Sequence, residues 1–277
     1  MRLRSLLFAP ANRPELVAKL PRSGPDAVIL DLEDGVPATE KDRARDQLAD
    51  SVSRLRQADP GLLVLVRLNG PASAWFEADL RAVPPEAGGL LVPKLEDRMH
   101  AERAASAAAV VIGGIETAVG VEAAPELCRE PLTAAYFGAE DYVADLGGVR
   151  TRDGREVLYA RSRVVLAARL GGIPAIDQVV IDFNDDELFR VEAAEARALG
   201  YAGKLCIHPR QVGLANEAFT PSPEEVERAR RLVAAYEEAA RKGVGAIDFD
   251  GQMVDAPVLK RAQAVLESAG PASGRGY

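Results

Sequence analysis

The chain has 277 residues, 48% hydrophobic and 27% charged, the balance of an ordinary soluble globular protein with material for one core. A formal charge of -8 and an isoelectric point near 5.1 argue against a nucleic-acid protein, whose phosphate contacts need a basic face. No apolar run approaches the roughly 20 residues of a membrane span, and Cys128 and Cys206 are too few for a disulfide framework or a structural zinc site.

In MRLRSLLFAPANRPE the apolar stretch is too short for a signal peptide, so it reads as a first strand and its loop in a cytoplasmic protein. Strand-like runs then recur: SLLFAP (5–10), AVILDLED (27–34), LLVLVRLNG (62–70), GGLLVPKLE (88–96), AAVVIGGIET (108–117), TAAYFGAED (133–141), AIDQVVIDF (175–183) and GKLCIHPRQ (203–211). Helical spacing separates them, as in 39–57, 101–109 and 158–171. Eight strands alternating with helices predict a closed parallel (β/α)8 TIM barrel over residues 1–220. An open dinucleotide-binding sheet would need GxGxxG after its first strand, where this chain has APANRPE. The pairs Gly113, Gly114 and Gly147, Gly148 read as close packing or turns.

Beyond the barrel, residues 221–243 predict a long helix with Ser222 as N-cap and Gly243 as its stop. AIDFDGQMVDAPVLKRAQAVLESAG follows as a short extended piece, a turn and another helix. This C-terminal helical extension, 221–277, exceeds what barrel closure needs; it packs either on its own barrel or on a neighbouring subunit. The final PASGRGY is expected to fray.

Ligands in parallel α/β proteins collect at the C-terminal strand ends. There the runs offer Phe8 and Arg13; Asp31, Glu33 and Asp34; Arg67 and Asn69; Lys94; Glu116; Glu140 and Asp141; and His208. Glu116 and Asp141, each read at the tip of its strand, suggest a divalent-cation site, with Arg67 for an anionic substrate. Hard oxygen ligands favour Mg2+ or Mn2+ over zinc. Asp31, Glu33 and Asp34 alternate in direction and cannot all face one ion; caps and loop hydrogen bonds are an equal reading. Lys94 either neutralises the acids, positions a carboxylate or makes a structural salt bridge, and His208 reads as a rim residue before a proline. His100 reads as exposed, Cys206 as core, and neither cysteine as a nucleophile. Arg13 and Lys19 form a small basic patch, either a phosphate site or a solvated helix face.

LLFAPANRPE, VILDLEDGV, VRLNG, VPKLE, IETAVGV, FGAEDYVADLGG, GKLCIHPRQ and GQMVDAPVLKRA, in this order, resemble the citrate lyase β-subunit family. Its relatives are the malyl-CoA and citramalyl-CoA lyases of the HpcH/HpaI aldolase superfamily. The resemblance implies a magnesium-dependent carbon-carbon lyase on a phosphoenolpyruvate/pyruvate-type barrel, a homotrimer or a multiple of one. Its substrate would be a 3-hydroxyacyl thioester such as citryl-, malyl- or citramalyl-CoA, cleaved to an acyl-CoA and an oxo acid such as oxaloacetate. It implies Glu116 and Asp141 as metal ligands, Arg67 on the oxo acid's carboxylate, and Phe8, Arg13 and Lys19 as substrate and coenzyme A contacts. Asp255, supplied by a neighbouring subunit, would move a proton at the reacting carbon. Two other functions stay open: a coenzyme-A-independent 4-hydroxy-2-oxo-acid aldolase, and a citrate lyase β subunit silent without its acyl carrier protein.

Overall fold

The computed structural model describes residues 1–269, so the expected fraying of PASGRGY lies outside the described residues. The chain divides into two units: Leu3–Asn216, and residues 1–2 with those from 217 onward.

The first unit is a closed parallel barrel. Its strands are β1 (Ser5–Pro10), β2 (Ala27–Asp31), β3 (Leu63–Arg67), β4 (Gly89–Val92), β5 (Val111–Ile115), β6 (Ala134–Phe137), β7 (Ala175–Asp177) and β8 (Gly203–Cys206). Each pairs in parallel with the next, and β8 closes on β1. The helices in order are α1 (Pro14–Val17), α2 (Lys41–Asp46), α3 (Leu48–Ala58), α4 (Phe76–Ala82), α5 (Arg98–Ala105), α6 (Ala118–Leu127), α7 (Ala139–Asp145), α8 (Arg155–Gly171), α9 (Asp186–Leu199) and α10 (Pro209–Ala218). The helix expected over 39–57 is broken at Gln47 into α2 and α3, after a 3-10 turn at Ala38–Glu40. The apolar runs overshoot the strands because their last residues already turn into the loops of the barrel mouth. Asp141 shows this best: it lies in the first turn of α7, not at a strand tip.

Strand alternation sorts the side chains. Leu6, Ala27, Ile29, Leu65, Leu91, Ile112, Ala134, Tyr136, Ile176 and Leu205 form a buried core cluster, with Phe8 packed against it. Counting onward by twos from Ile29, Leu65 and Ile112 leads to Asp31, Arg67 and, through Gly114, Glu116. The files of apolar side chains that fill the barrel therefore end in charged groups at its mouth.

The opposite parity gives a second, structural network. Asp177 and Lys204 are register partners on β7 and β8, both fully buried. Lys204 Nζ donates to Asp177 Oδ2 (2.6 Å) and Glu192 Oε2 (3.1 Å), while Arg161 Nε and Nη2 donate to the two Asp177 oxygens at 3.0 and 3.1 Å. One carboxylate thus satisfies two buried cations. Asp177→Ala is expected to lower stability by about 3–5 kcal/mol, because it strips the buried Arg161 of its bidentate partner and leaves the buried Lys204 with Glu192 alone. Urea denaturation checks this, and a loss under about 1 kcal/mol would mean that the network is solvated.

In the second unit, α11 (Pro223–Arg241) starts at a capping box in which Ser222 accepts from Glu225 N and the Glu225 side chain accepts from Ser222 N. β9 (Ile247–Phe249) and β10 (Gln252–Val254) form a hairpin whose turn uses positive φ at Asp250 and Gly251, and α12 (Ala256–Ala269) follows. Ala229, Leu232, Val254 and Ala262 make its small core. Among the described residues no helix is long and apolar enough to cross a membrane.

Candidate active site

A cavity of about 410 Å3 opens at the C-terminal ends of the strands. Phe8, Asp31, Arg67, Glu116, Tyr136 and Asp141 line it, together with an apolar wall of Val179, Leu205 and Ile207. Four of the residues that the resemblance implies for the site, Phe8, Arg67, Glu116 and Asp141, are therefore brought to one space from separate elements.

Arg67 is held before any ligand arrives. Asp31 and Arg67 end neighbouring strands as register partners, which puts their side chains side by side. Arg67 Nε donates to Asp31 Oδ1 at 2.7 Å and Nη2 to Oδ2 at 2.8 Å, a bidentate fork. The Phe8 ring lies 4.9 Å from the guanidinium carbon and supports its other side. Burial works against both charges, yet each overrides it in the other: Asp31 is held below its ordinary value and Arg67 well above. Asp31 also accepts from Glu33 N and Gly35 N, so the acidic loop is folded around it. Lys41 Nζ and Asn69 Nδ2 brace the same loop by donating to the Leu32 carbonyl, and Lys41 to that of Glu33. With Nε and Nη2 committed, the edge of Arg67 formed by Nη1 and the second Nη2 hydrogen remains for a carboxylate.

Glu33 stands beside that edge, with Oε2 2.9 Å from Arg67 Nη1. The approach is an ion pair without hydrogen-bond alignment, and Oε2 is otherwise buried without a partner. Burial first, then the charge of Glu116, push the Glu33 carboxyl up to about 8 against the pull of Arg67 and Lys94. Lys94 Nζ lies 2.7 Å from Glu33 Oε1 and 3.1 Å from Asp141 Oδ1. The Lys94 side chain makes salt bridges that neutralise two of the acids while its backbone N–H holds the Glu116 carboxylate, so the roles open to Lys94 are combined rather than separated.

Glu116 follows β5 directly and is 2% exposed. Its Oε1 accepts from Lys94 N (2.7 Å) and from Tyr136 OH (3.0 Å). The Tyr136 ring reaches it because its register partner is Gly114, where a Cβ would stand 2.3 Å from the hydroxyl. Gly138 plays the same part for Oε2, which lies 2.1 Å from where a Cβ would be. The expectation of close packing at the Gly113, Gly114 pair is met in this way. Burial raises the Glu116 carboxyl and the charge of Asp141 raises it further, the signature of acids gathered in excess of their counter-charges. Among the described residues no group of three or more His, Cys, Asp or Glu is arranged around a metal position. Two carboxylates facing one cavity nevertheless suit a hard cation that keeps water or substrate oxygens as its other ligands.

The other expected residues lie elsewhere. Arg13 and Lys19 are exposed and do not line the cavity, and Arg13 Nε pairs with Glu15 at 2.6 Å. They form no cluster with Phe8, which alternation turns into the barrel. His208 stacks on Phe183 with centroids 4.9 Å apart, and its Nδ1 accepts from Arg210 N, the rim role expected of it. His100 is half-buried, edge-on to Phe76, rather than exposed. Both cysteines are buried, with burial pushing each thiol up to about 12, so neither supplies a thiolate. Asp255 follows β10, and its carbonyl accepts from Leu259 N in the first turn of α12. Sequence reasoning passed over Tyr136 and the Asp31 fork; the signal for both was strand parity, read together with the glycine opposite Tyr136.

Residues 4–209 match the family model described as HpcH/HpaI aldolase/citrate lyase. A citrate lyase subunit beta-like protein of Deinococcus radiodurans is 52% identical over 273 residues, covering 95% of this chain and 96% of its own. The mitochondrial citramalyl-CoA lyase of Rattus norvegicus is 34% identical over 295 residues, covering 96% and 86%. The crystal structure of CitE from Mycobacterium tuberculosis in complex with magnesium, acetoacetate and coenzyme A superposes with a TM-score of 0.83 at 38% identity, covering 96% of this chain and 98% of that one. With the closed eight-stranded barrel and the acidic mouth in place, these likenesses identify the chain as a member of the HpcH/HpaI aldolase/citrate lyase family.

Proposed function

We propose that this chain is a magnesium-dependent carbon-carbon lyase that cleaves, or in reverse forms, a 3-hydroxyacyl thioester of coenzyme A. The observation that carries this is the convergence of Arg67, Glu116 and Asp141 on one cavity, with Arg67 already oriented by Asp31. Arg67 offers its remaining edge to the carboxylate of the oxo-acid half, and the apolar wall of Val179, Leu205 and Ile207 takes the thioester's carbon chain. Glu116 and Asp141 are the ligands for Mg2+, with Mn2+ a substitute. The ion, when bound, supplies Lewis-acid polarisation at the oxygen that becomes the oxo acid's carbonyl. Tyr136 and the Lys94 amide keep Glu116 turned into the cavity. In that role they do what outer hydrogen bonds do for any metal-ligating carboxylate.

Cleavage breaks the bond between the hydroxyl-bearing carbon and the thioester's α-carbon. The hydroxyl gives up its proton to water as its oxygen becomes the oxo acid's carbonyl oxygen, the electron pair of the broken bond passes to the α-carbon as an enolate, and that carbon must gain a proton. We assign this proton to Asp255, delivered by a neighbouring subunit of a homotrimer, with the same group as base in the condensation direction. Arg13 and Lys19 serve the coenzyme's phosphates from the surface. The support for magnesium and coenzyme A comes from the 38% identical Mycobacterium tuberculosis CitE, which binds both together with acetoacetate.

The test is to incubate the purified chain with Mg2+ and a small panel of acyl-CoA and oxo-acid pairs, including oxaloacetate, glyoxylate and pyruvate, and to follow thioesters by mass spectrometry. One pair is expected to condense, the matching 3-hydroxyacyl-CoA to be cleaved, and EDTA to stop both. Cleavage of free 4-hydroxy-2-oxo acids without coenzyme A would replace the proposal with the aldolase function. Silence until an acyl carrier protein is added would replace it with the carrier-dependent subunit.

A further inference from the structure

We propose that the Lys94 ammonium is the resident counter-ion of the acidic site and is exchanged at Asp141 for the divalent cation. This role rests on the assignment of Glu116 and Asp141 as the cation's ligands. In the structure the ammonium bridges Glu33 Oε1 at 2.7 Å and Asp141 Oδ1 at 3.1 Å, so a positive charge already stands on one of the two carboxylates. A divalent ion on Asp141 would share that carboxylate with the ammonium, two cations within a few ångströms of each other. Lys94 therefore has to leave Asp141 when the ion arrives.

Two features permit this without disturbing the rest of the site. The first is the Lys94 backbone, which adopts a positive φ of 49°, unusual outside glycine, and from that conformation directs its N–H at Glu116 Oε1. The amide holds one ligand while the side chain holds the other. Movement at Nζ is thereby separated from the position of Glu116. The second is space. Lys94 borders a neighbouring cavity of about 570 Å3, lined also by Glu33, Asn69 and Glu96. Gly70 stands beside it, and a Cβ there would come within 3.6 Å of Lys94 Cδ. The half-exposed stem can withdraw toward that cavity while the ammonium keeps Glu33, its shorter partner.

A lysine suits this task where an arginine would not, since its point charge and flexible stem allow one partner to be released while another is kept. With no ion bound, Lys94 holds Glu33 and Asp141 together and limits their repulsion with Glu116. With the ion bound, the ammonium on Glu33 lessens that carboxylate's competition with an incoming carboxylate for Arg67 Nη1. Lys94 is thus a positioning residue that weakens intrinsic Mg2+ affinity.

The experiment is titration calorimetry of MgCl2 into the wild-type protein, Lys94→Met and Lys94→Gln. Removing the ammonium is expected to tighten Mg2+ binding by about tenfold or more. Unchanged or weaker affinity in the folded variants overturns the proposal. A wild-type measurement serves if neither variant folds: amine-reactive labelling of Lys94, read by peptide mass spectrometry, is expected to quicken several-fold on adding Mg2+. An unchanged labelling rate at saturating Mg2+ overturns the exchange. Equal Mg2+ affinity in wild type and variants would remove the exchange and leave the cation assignment standing, whereas absence of Mg2+ binding to the wild type would remove both.

Discussion

Glu116→Gln is expected to abolish Mg2+ binding and to lower turnover by about a thousandfold, while leaving the fold intact. The amide is the same size, so it respects the space that Gly138 leaves and can still accept from Tyr136 OH and the Lys94 amide through its oxygen. What it lacks is the charge. A thousandfold corresponds to about 4 kcal/mol of transition-state stabilisation, within the several kcal/mol that a Lewis-acidic cation supplies to a developing oxyanion. The buried Glu116 carboxyl is raised first by burial and then by Asp141, so its charge is a cost to the folded chain that the neutral amide removes. The variant should therefore melt no lower than the wild type in EDTA, and this separates lost chemistry from lost structure. Calorimetry with MgCl2 and a thermal melt together decide the matter. Retained Mg2+ affinity would sink the assignment of Glu116 as a ligand.

Asp255→Asn is expected to leave Mg2+ affinity at the wild-type level and to reduce kcat by about 10²–10⁴-fold, the range of a general acid or base. The asparagine cannot carry the proton but keeps the size of the side chain at the start of α12. Oxo-acid binding, which the proposal assigns to Arg67, should be unchanged by calorimetry. Full activity in this variant would remove Asp255 from the mechanism. A further result tests the neighbouring-subunit origin of the residue. Co-expressed Glu116→Gln and Asp255→Asn chains, each nearly inactive alone, should recover measurable activity when assembled together. A mixed oligomer would contain some sites with an intact Glu116 from one chain and an intact Asp255 from another. If both residues belong to the same chain's site, no such complementation occurs.

Much of the barrel was legible from the chain because a strand buried on both faces must be a short continuous apolar run, and eight such runs alternate with helices. Strand ends were harder to read. Hydrophobicity does not mark where hydrogen bonding to the neighbouring strand stops, so the apolar runs outlast the strands and Asp141, at the end of one run, belongs to α7. The break at Gln47 was hidden for a similar reason, since composition favours helix on both sides of it.

The sequence by itself determined the residue types at the mouth: an arginine ending one strand, a glutamate following another, an aspartate after a third, and no histidine set to rival them. Those follow from local pattern, because strand periodicity and turn residues are properties of neighbours in the chain. Only the tertiary structure decided which of these groups meet. Asp31 binds Arg67 because β2 and β3 pair in that register, Tyr136 reaches Glu116 because a glycine lies opposite it, and Lys94, after β4, joins Glu33, after β2, to Asp141 in α7. Arg13 and Lys19, equally prominent in the sequence, stay at the surface. Charges interact through distances in space, and barrel closure sets those distances between residues as far apart in the chain as Glu33 and Lys94, 61 positions.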